Sequence, residues 1–293
     1  MQSLAGRVAV VTGGGSGLGR AMCRRFGQEG MHVVLADVMA DRVEQAAKEL
    51  TAEGLDVTGV QADVTSQESV NALRDAALAK YGAVHVVCNN AGVGAGAEGK
   101  LWEHEAADWT WALAVNLWGV IHGINAFVPA MLDGGDEGHI VNTSSGNGGI
   151  SPLPSTPQYA VTKAGVVTLT ECLYAQLRDV TDKVSASLLF PGPHMLRTGL
   201  FESWRTRPDA FAKSRPRQTP YVTYDALEAQ MEAAGVNVQY TPVEDVACQV
   251  VDAILSDTFW ISPPSESSDN QLRARTQSLL DRTNPDYLRA VPG

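Results

Sequence analysis

The fold is decided by the stretch Arg7-Val8-Ala9-Val10-Val11-Thr12-Gly13-Gly14-Gly15-Ser16-Gly17-Leu18-Gly19. Its first half is a short β-branched run, which is typical of a buried strand, and glycines end that run. A helical pattern follows over residues 20–30. A strand, a glycine-rich turn and a helix start are typical of a dinucleotide site, because the free N–H groups and the dipole of the helix N-terminus attract a diphosphate. We therefore expect an α/β fold.

The same alternation of strand and helix continues along the chain. Apolar runs lie at residues 32–36, 57–62, 84–88, 138–143, 184–190 and 259–261, and helical patterns lie at residues 42–50, 66–81, 106–132, 164–177, 242–255 and 265–282. Such alternation predicts a doubly wound, Rossmann-like parallel sheet with helices on both faces. We expect one domain over residues 1–293, with a substrate-lid insertion at about 195–241 and a C-terminal helical extension at about 263–293. Within it, residues 94–99 and the proline-rich connection 146–158 are expected to be loops, and residues 227–234 of the insertion a helix.

Composition and charge exclude several classes of protein. Of the 293 residues, 44% are hydrophobic and 19% are charged, so the chain can bury a large core. A formal net charge of −11 argues against nucleic acid and anionic membranes as partners. The four cysteines lack metal-ligand spacing, which predicts reduced thiols and no metal site. No targeting segment is visible and no apolar run approaches the ~20 residues of a membrane span, so we expect a cytoplasmic protein.

Polar residues with acid–base potential follow the apolar run at 138–143. Ser144 and Ser145 end that run, and Tyr159 and Lys163 stand four residues apart at the start of the next helical pattern. On a helix this spacing puts both side chains on one face. A free tyrosine has a pKa of about 10, and a nearby positive charge lowers it. Tyr159 and Lys163 therefore form a candidate proton-transfer pair, to which a serine could hold a substrate oxygen.

Four motifs together resemble the ordinary single-domain branch of the short-chain dehydrogenases/reductases. They are the TGxxxGxG pattern over residues 12–19, the NNAG segment at residues 89–92, the serine pair before Tyr159-xxx-Lys163, and the Pro191-Gly192 turn. The resemblance covers roughly residues 5–262. It implies a nicotinamide-dependent oxidoreductase that interconverts a secondary alcohol and a ketone.

The resemblance also implies a role for each catalytic residue. Tyr159 would move the proton, and Lys163 would lower its pKa and bind the nicotinamide ribose. Ser145 would orient the carbonyl, with Ser144 as the alternative, and Asn116 would support a proton relay by holding a water near the lysine. The fourteen-residue step from Ser145 to Tyr159 exceeds the family's usual thirteen by one, which a loop insertion would absorb.

The cofactor residues follow from the same resemblance. They are Gly13, Gly15, Ser16, Gly17, Leu18, Gly19, Asp37, Asp63, Val64, Asn90, Tyr159, Lys163, Pro191, Gly192 and His194. His194 stands where the family usually has valine or isoleucine, so we expect a backbone contact there. Asp37 ends the second predicted strand, where a carboxylate accepts hydrogen bonds from the ribose hydroxyls and repels a 2′-phosphate. NAD is therefore the predicted cofactor. Asp41 is expected to cap the next helix, with Arg42 inside that helix.

Two other function classes stay open at this stage. A sugar-nucleotide epimerase or dehydratase shares the tyrosine–lysine pair, but typically carries TGxxGxxG and a separate substrate domain. A non-catalytic dinucleotide-binding regulator usually loses the tyrosine or the lysine. The aromatic residues Trp204, Phe211, Tyr221 and Tyr224 of the insertion suggest a lid over a hydrophobic or aryl alcohol or ketone. The long helices at 106–132 and 164–177 resemble the family's dimer-forming pair, which predicts a homodimer or homotetramer.

Overall fold

The computed structural model describes residues 1–94, 99–215, 223–233, 235 and 238–290. Seven parallel strands form one sheet in the order β3-β2-β1-β4-β5-β6-β7. The strands are β1 (Val8–Thr12), β2 (His32–Asp37), β3 (Val57–Gln61), β4 (Val86–Asn89), β5 (Gly138–Thr143), β6 (Val184–Leu189) and β7 (Trp260–Ile261). The strand order reverses between β1 and β4, and such a switch point opens a crevice at the carboxyl ends of the strands. The doubly wound parallel sheet is confirmed.

Helices cover both faces of the sheet. They are α1 (Gly17–Gln28), α2 (Ala40–Ala52), α3 (Gln67–Tyr81), α4 (Ala106–Leu113), α5 (Gly119–Gly134), the single turn α6 (Gly146–Gly149), α7 (Pro157–Val180), α8 (Tyr224–Ala233), α9 (Val243–Ser256) and α10 (Glu266–Asp281). Short 3₁₀ helices lie at Leu101–Glu103, Gly199–Thr206, Asp209–Phe211 and Asp286–Ala290.

Two apolar cores hold the helices against the sheet. On one face, Phe26 of α1 and Val250 of α9 pack in one buried cluster with residues of β1 and β2. On the other face, Leu73 of α3, Phe127 of α5 and Leu177 of α7 form the second cluster. Both faces of the central strands are therefore covered, which explains why their sequences are continuously apolar rather than alternating.

Two predicted helix starts need correction. Met39, not Asp41, is the N-cap of α2, and Asp41 lies in the first turn. The carboxylate of Asp37 accepts the N–H of Met39 itself at 3.1 Å, and among the described residues no side chain caps the first helical N–H groups of α2. The helix that carries Tyr159 begins at Pro157, inside the segment predicted as loop. Proline fits there because the first turn of a helix has N–H groups without helical partners.

The predicted helix over 106–132 is broken by a π-helical segment, Ala114–Trp118, between α4 and α5. Together these elements run from 106 to 134, and by length and composition alone they could cross a bilayer. The expectation that no apolar stretch approaches that length is thus wrong. Half of this apolar window is buried inside the protein, as is usual for a core helix of a soluble fold.

The segment from 195 to 241 lies next to the carboxyl ends of the strands. Gly94, just after β4, donates its N–H to the Ser203 hydroxyl at 2.9 Å, which ties the Gly199–Thr206 helix to the sheet edge. The predicted helix at 227–234 is observed as α8, starting three residues earlier. Tyr221 and residues 95–98 of the predicted Gly94–Gly99 loop lie outside the described residues.

The C-terminal extension forms α10, as predicted. None of its residues is buried, and Leu272, Leu279 and Leu280 are exposed. Arg275 connects the helix to the rest of the fold by donating to the Ile150 carbonyl at 2.9 Å.

Candidate active site

Tyr159 and Lys163 lie on one face of the first turns of α7, as the spacing predicts. The Lys163 ammonium lies 5.7 Å from the centroid of the Tyr159 ring. Lys163 is only 3% exposed, and its Nζ donates to the Thr143 carbonyl at 2.8 Å. Thr143 is the last residue of β5, so the strand end fixes the ammonium beside the phenol.

The two serine candidates are separated by their contacts. Ser144 is 1% exposed, and its hydroxyl donates to the Lys163 carbonyl at 2.8 Å, so it serves the packing of β5 against α7. Ser145 is the N-cap of the α6 turn, accepting the Asn147 N–H at 3.2 Å, and it is a hydrogen-bond partner of Tyr159. The geometry therefore favours Ser145 as the serine that shares a substrate oxygen with the phenol.

Asn116 lies at the centre of the π-helical segment and is fully buried. Its Oδ1 accepts the Val93 N–H at 2.8 Å, and its Nδ2 donates to the Val93 carbonyl at 2.9 Å and to Thr162 Oγ1 at 3.2 Å. All three bonds of the side chain are therefore made to the loop after β4 and to α7. The water-holding role expected of Asn116 stays a prediction, at a π-helical segment of the kind that is common at functional sites.

The pKa values of the pair differ from the expectation. Burial raises the pKa of Tyr159 to about 12, against the opposing hydrogen bond with Ser145, and Tyr224 raises it further. Burial also lowers the pKa of Lys163 to about 8. Both shifts have one cause, because burial disfavours the charged form of either group. In the protein alone, desolvation outweighs the lowering of the Tyr159 pKa that was expected from Lys163, whose Nζ is hydrogen-bonded to Thr143 rather than to the phenol.

The glycine loop between β1 and α1 fits a diphosphate. Gly13 and Gly17 have positive φ angles of 66° and 50°, and a Cβ at Gly19 would lie 2.1 Å from the Gly13 carbonyl oxygen. The loop can adopt this path only with glycines. The side chain of Ser16 makes no capping hydrogen bond at the start of α1. The first N–H groups of α1, from Gly17 through Leu18, therefore remain free to bind an anion.

Asp37 lies at the end of β2, beside this loop. Its Oδ2 accepts the Gly15 N–H at 3.2 Å, in addition to the Met39 N–H bond of Oδ1. The carboxylate thus holds the glycine loop against the strand end and retains lone pairs for ribose hydroxyls. A Cβ at Gly15 would lie 2.9 Å from Arg42 Cβ and 3.0 Å from Asp37 Oδ2. Arg42 is therefore closer to the ribose site than its place inside the helix suggested.

Three further cofactor candidates, Asp63, Val64 and Asn90, are held by hydrogen bonds within the protein. Asp63 Oδ1 accepts the Thr65 N–H at 2.9 Å and its hydroxyl at 2.8 Å, which leaves the other carboxylate oxygen available. Val64 is buried, and its carbonyl accepts a hydrogen bond from His122 Nδ1 at 2.8 Å, with the imidazole assigned as donor. Asn90 donates from Nδ2 to the Thr12 carbonyl at 3.0 Å. The Asn90 amide lies directly under the glycine loop, because it would be 2.8 Å from a Cβ at Gly19.

The turn after β6 contains a cis peptide bond between Gly192 and Pro193, preceded by the predicted contact residue Pro191. His194 is exposed, and its N–H donates to Thr241 Oγ1 at 3.0 Å. That N–H is satisfied within the protein, and the contact of the His194 backbone with the cofactor stays a prediction.

Sequence reasoning missed several contributors to this site. Thr143 acts through a carbonyl that no motif marks, and Val93 binds both ends of the Asn116 amide. Thr12 belongs to the TGxxxGxG pattern, but the hydrogen bond from the Asn90 N–H to its hydroxyl was not predicted. Tyr224 was noted only as an aromatic residue of the insertion. It is 8% exposed, its hydroxyl donates to the Leu196 carbonyl at 2.8 Å, and its ring packs edge-on against Phe201 at 4.9 Å.

Comparison with known proteins agrees with this geometry. The sequence profile described as short chain dehydrogenase matches residues 7–209. The 1-deoxy-11-beta-hydroxypentalenate dehydrogenase of Streptomyces exfoliatus is 35% identical over 271 residues, which are 92% of this chain and 86% of that protein.

Two solved structures resemble the fold and hold different cofactors. A short chain dehydrogenase/reductase from Burkholderia phymatum in complex with NAD has a TM-score of 0.87 and 38% identity, with 97% of this chain and 98% of that chain covered. A metagenomic short-chain oxidoreductase in complex with NADP has a TM-score of 0.66 and 26% identity, covering 88% and 95% of the two chains.

These matches favour neither the epimerase or dehydratase alternative nor the non-catalytic regulator. They make the chain an oxidoreductase that acts between hydroxyl and keto groups and binds a nicotinamide dinucleotide. With tyrosine, lysine and serine brought together at one edge of the sheet, this chain belongs to the short-chain dehydrogenase/reductase family.

Proposed function

We propose that this protein is an NAD-dependent dehydrogenase that interconverts a hydrophobic or aryl secondary alcohol and its ketone. The observation that carries the proposal is the arrangement at the ends of β5 and α7. There Ser145 and Tyr159 are hydrogen-bonded to each other, and the Lys163 ammonium is held beside the phenol ring. A secondary alcohol placed against the serine and tyrosine hydroxyls would have its O–H aligned for proton transfer.

In this mechanism Tyr159 takes the alcohol proton and Ser145 holds the developing carbonyl oxygen. Bound NAD would supply the hydride acceptor, with a positive charge on its nicotinamide ring. Lys163 binds the nicotinamide ribose through its ammonium, and its charge favours the phenolate of Tyr159. The side chain of Asn116 binds both Val93 and α7, which holds the helix that carries the lysine and the tyrosine in place.

The choice of NAD over NADP rests on Asp37. A carboxylate and a 2′-phosphate about 4 Å apart repel by about 4 kcal/mol at an effective dielectric constant near 20. Arg42, beside Gly15, opposes part of that repulsion. We therefore expect a preference for NAD of about tenfold or more, because each ~1.4 kcal/mol is a factor of ten.

The substrate class follows from the aromatic residues beside the site. Tyr224 is close enough to Tyr159 to raise its pKa, and Phe201 packs against Tyr224 with 39% of its surface exposed. An apolar substrate that contacts this pair would bury their exposed surface. The hydroxypentalenate dehydrogenase named above is a relative whose name also indicates a carbon-rich alcohol.

We further propose a cytoplasmic homodimer or homotetramer. Trp118 of the π-helical segment and Val161 of α7 are half exposed, on the two long helical elements that the family resemblance pairs between subunits. Light scattering at micromolar concentration should give a multiple of the 31.2 kDa chain mass. A species of one chain mass would contradict this proposal.

The function is tested by following nicotinamide absorbance with a panel of aliphatic and aryl secondary alcohols and ketones. We expect turnover with at least one apolar member and a kcat/KM for NAD about tenfold or more above that for NADP. Equal values for the two cofactors would contradict the role of Asp37. Absence of turnover across the panel, despite cofactor binding, would contradict the proposed substrate class.

A further inference from the structure

A cavity of about 390 Å³ lies between the glycine loop and the segment that follows the Pro191-Gly192 turn. It is lined by Gly17, Arg197, Thr198, Gly199, Glu202, Thr223, Tyr224 and Asp225. Thr198 closes its inner wall, because a Cβ at Gly17 would lie 3.0 Å from Thr198 Cβ. The cavity therefore adjoins the start of α1, where the loop geometry fits the diphosphate of a dinucleotide.

Arg197 is the cation that lines this cavity. Its guanidinium is paired with Asp225 at the start of α8 and lies 3.6 Å from Glu228 one turn later. The side chain of Arg197 is 56% exposed and that of Asp225 is 83% exposed. Ion pairs this open to solvent are weak, so Arg197 can exchange its partners readily.

The two carboxylates that line the cavity, Glu202 and Asp225, each pair with an arginine. Glu202 lies 2.8 Å from Arg205 within the Gly199–Thr206 helix. Asp225 is paired with Arg197 itself. Of the two carboxylates lining the cavity, Asp225 is thus the one that competes with an anion for Arg197.

We propose that Arg197 binds the diphosphate of the dinucleotide, and that Asp225 and Glu228 of α8 compete with the diphosphate for its guanidinium. A guanidinium matches two phosphate oxygens with paired N–H donors, and these charge-assisted bonds are stronger than an exposed ion pair. Cofactor binding and the docking of α8 then oppose each other through one side chain. Because linkage is reciprocal, bound cofactor weakens the Arg197–Asp225 pair by the same factor by which that pair weakens cofactor binding. This inference rests on the proposed function.

The experiment measures binding, not turnover. Isothermal titration calorimetry with ADP-ribose, which carries the diphosphate, is compared with adenosine, which carries no phosphate. Arg197→Ala should weaken ADP-ribose binding about tenfold, with adenosine binding unchanged. Arg273→Ala is the control, since it removes an exposed cation, 72%, of α10 that does not line this cavity, and it should leave both affinities unchanged.

The direction in which a second variant changes the affinity for ADP-ribose separates direct binding by Arg197 from a structural effect. Asp225→Asn removes the competing carboxylate and should tighten ADP-ribose binding about two- to fivefold, an effect that disappears in the Arg197→Ala background. If Arg197 acted only by holding α8 in place, Asp225→Asn would weaken binding as Arg197→Ala does, and the proposal would be overturned. Equal affinities of Arg197→Ala and Arg273→Ala for ADP-ribose would also overturn it. Failure of the unmodified protein to bind both ADP-ribose and NADH would instead overturn the proposed function on which it rests.

Discussion

Replacing Lys163 by methionine should make the protein more stable near neutral pH, even though it removes a residue of the active site. Lys163 is 3% exposed, and burial lowers its pKa from the ordinary 10.5 to about 8. The folded state therefore releases this proton more readily than the unfolded state. Since one pKa unit corresponds to about 1.4 kcal/mol, the buried ammonium costs about 3 kcal/mol of stability below pH 8.

The sign of the pH dependence follows from the same shift. Between about pH 8 and pH 10.5 the unfolded state binds more protons at this site, so the free energy of unfolding rises with pH. In Lys163→Met that contribution is absent. The stability advantage of the variant should consequently shrink by about 2 kcal/mol between about pH 7 and pH 9.5.

Urea unfolding at these two pH values measures the effect. The unmodified protein is compared with Lys163→Met and with Lys48→Met, which removes an exposed lysine of α2 and corrects for the loss of one positive charge. The methionine at position 163 also loses the hydrogen bond to the Thr143 carbonyl, which lowers stability by the same amount at both pH values. If the free energy of unfolding changed equally with pH in Lys163→Met and Lys48→Met, the account of Lys163 as a buried charge that is retained for function would be refuted.

Two further substitutions test the glycine loop and the lid. Gly19→Ala would place its Cβ 2.1 Å from a carbonyl oxygen of the glycine loop and should abolish NADH binding, measured by fluorescence. Gly134→Ala is the control, because a Cβ there would have nothing within 4 Å, and it should bind NADH normally. Asp108→Asn should lower the free energy of unfolding by about 3 kcal/mol. The reason is that Arg207, 2.7 Å away and also buried, would lose the carboxylate that compensates its charge. The exposed Asp209→Asn is its control, and equal unfolding midpoints would contradict this reading.

The sheet could be predicted because local sequence determines it. Strands buried on both faces are rich in apolar residues along their length, and such runs are visible at β1 and β2 without any tertiary information. The glycine loop was predictable for a similar reason, since a turn with positive φ angles at Gly13 and Gly17 demands glycine.

The parts that could not be predicted depend on contacts between distant residues. The buried pair of Asp108 and Arg207 joins positions 99 residues apart, with Lys213 also 3.2 Å from the Asp108 carboxylate. Nothing in the sequence around Asn116 marks the π-helical segment, which depends on its hydrogen bonds to Val93.

The roles of neighbouring polar residues also depended on the fold. Ser144 and Ser145 are adjacent and chemically identical, and only the packing of α7 assigns the first to the Lys163 carbonyl. The pKa of Tyr159 was misjudged because a charge pattern is visible in a sequence while desolvation is not.

The most direct test of the central claim is the turnover of Tyr159→Phe, which keeps the ring and removes the hydroxyl that accepts the substrate proton. Turnover of the best alcohol from the panel should fall by about two to four decades, while NADH affinity measured by fluorescence stays within about twofold. That combination would show that the hydroxyl acts on the reacting substrate rather than on cofactor binding. Near-normal turnover in Tyr159→Phe would contradict the assignment of proton transfer to this residue.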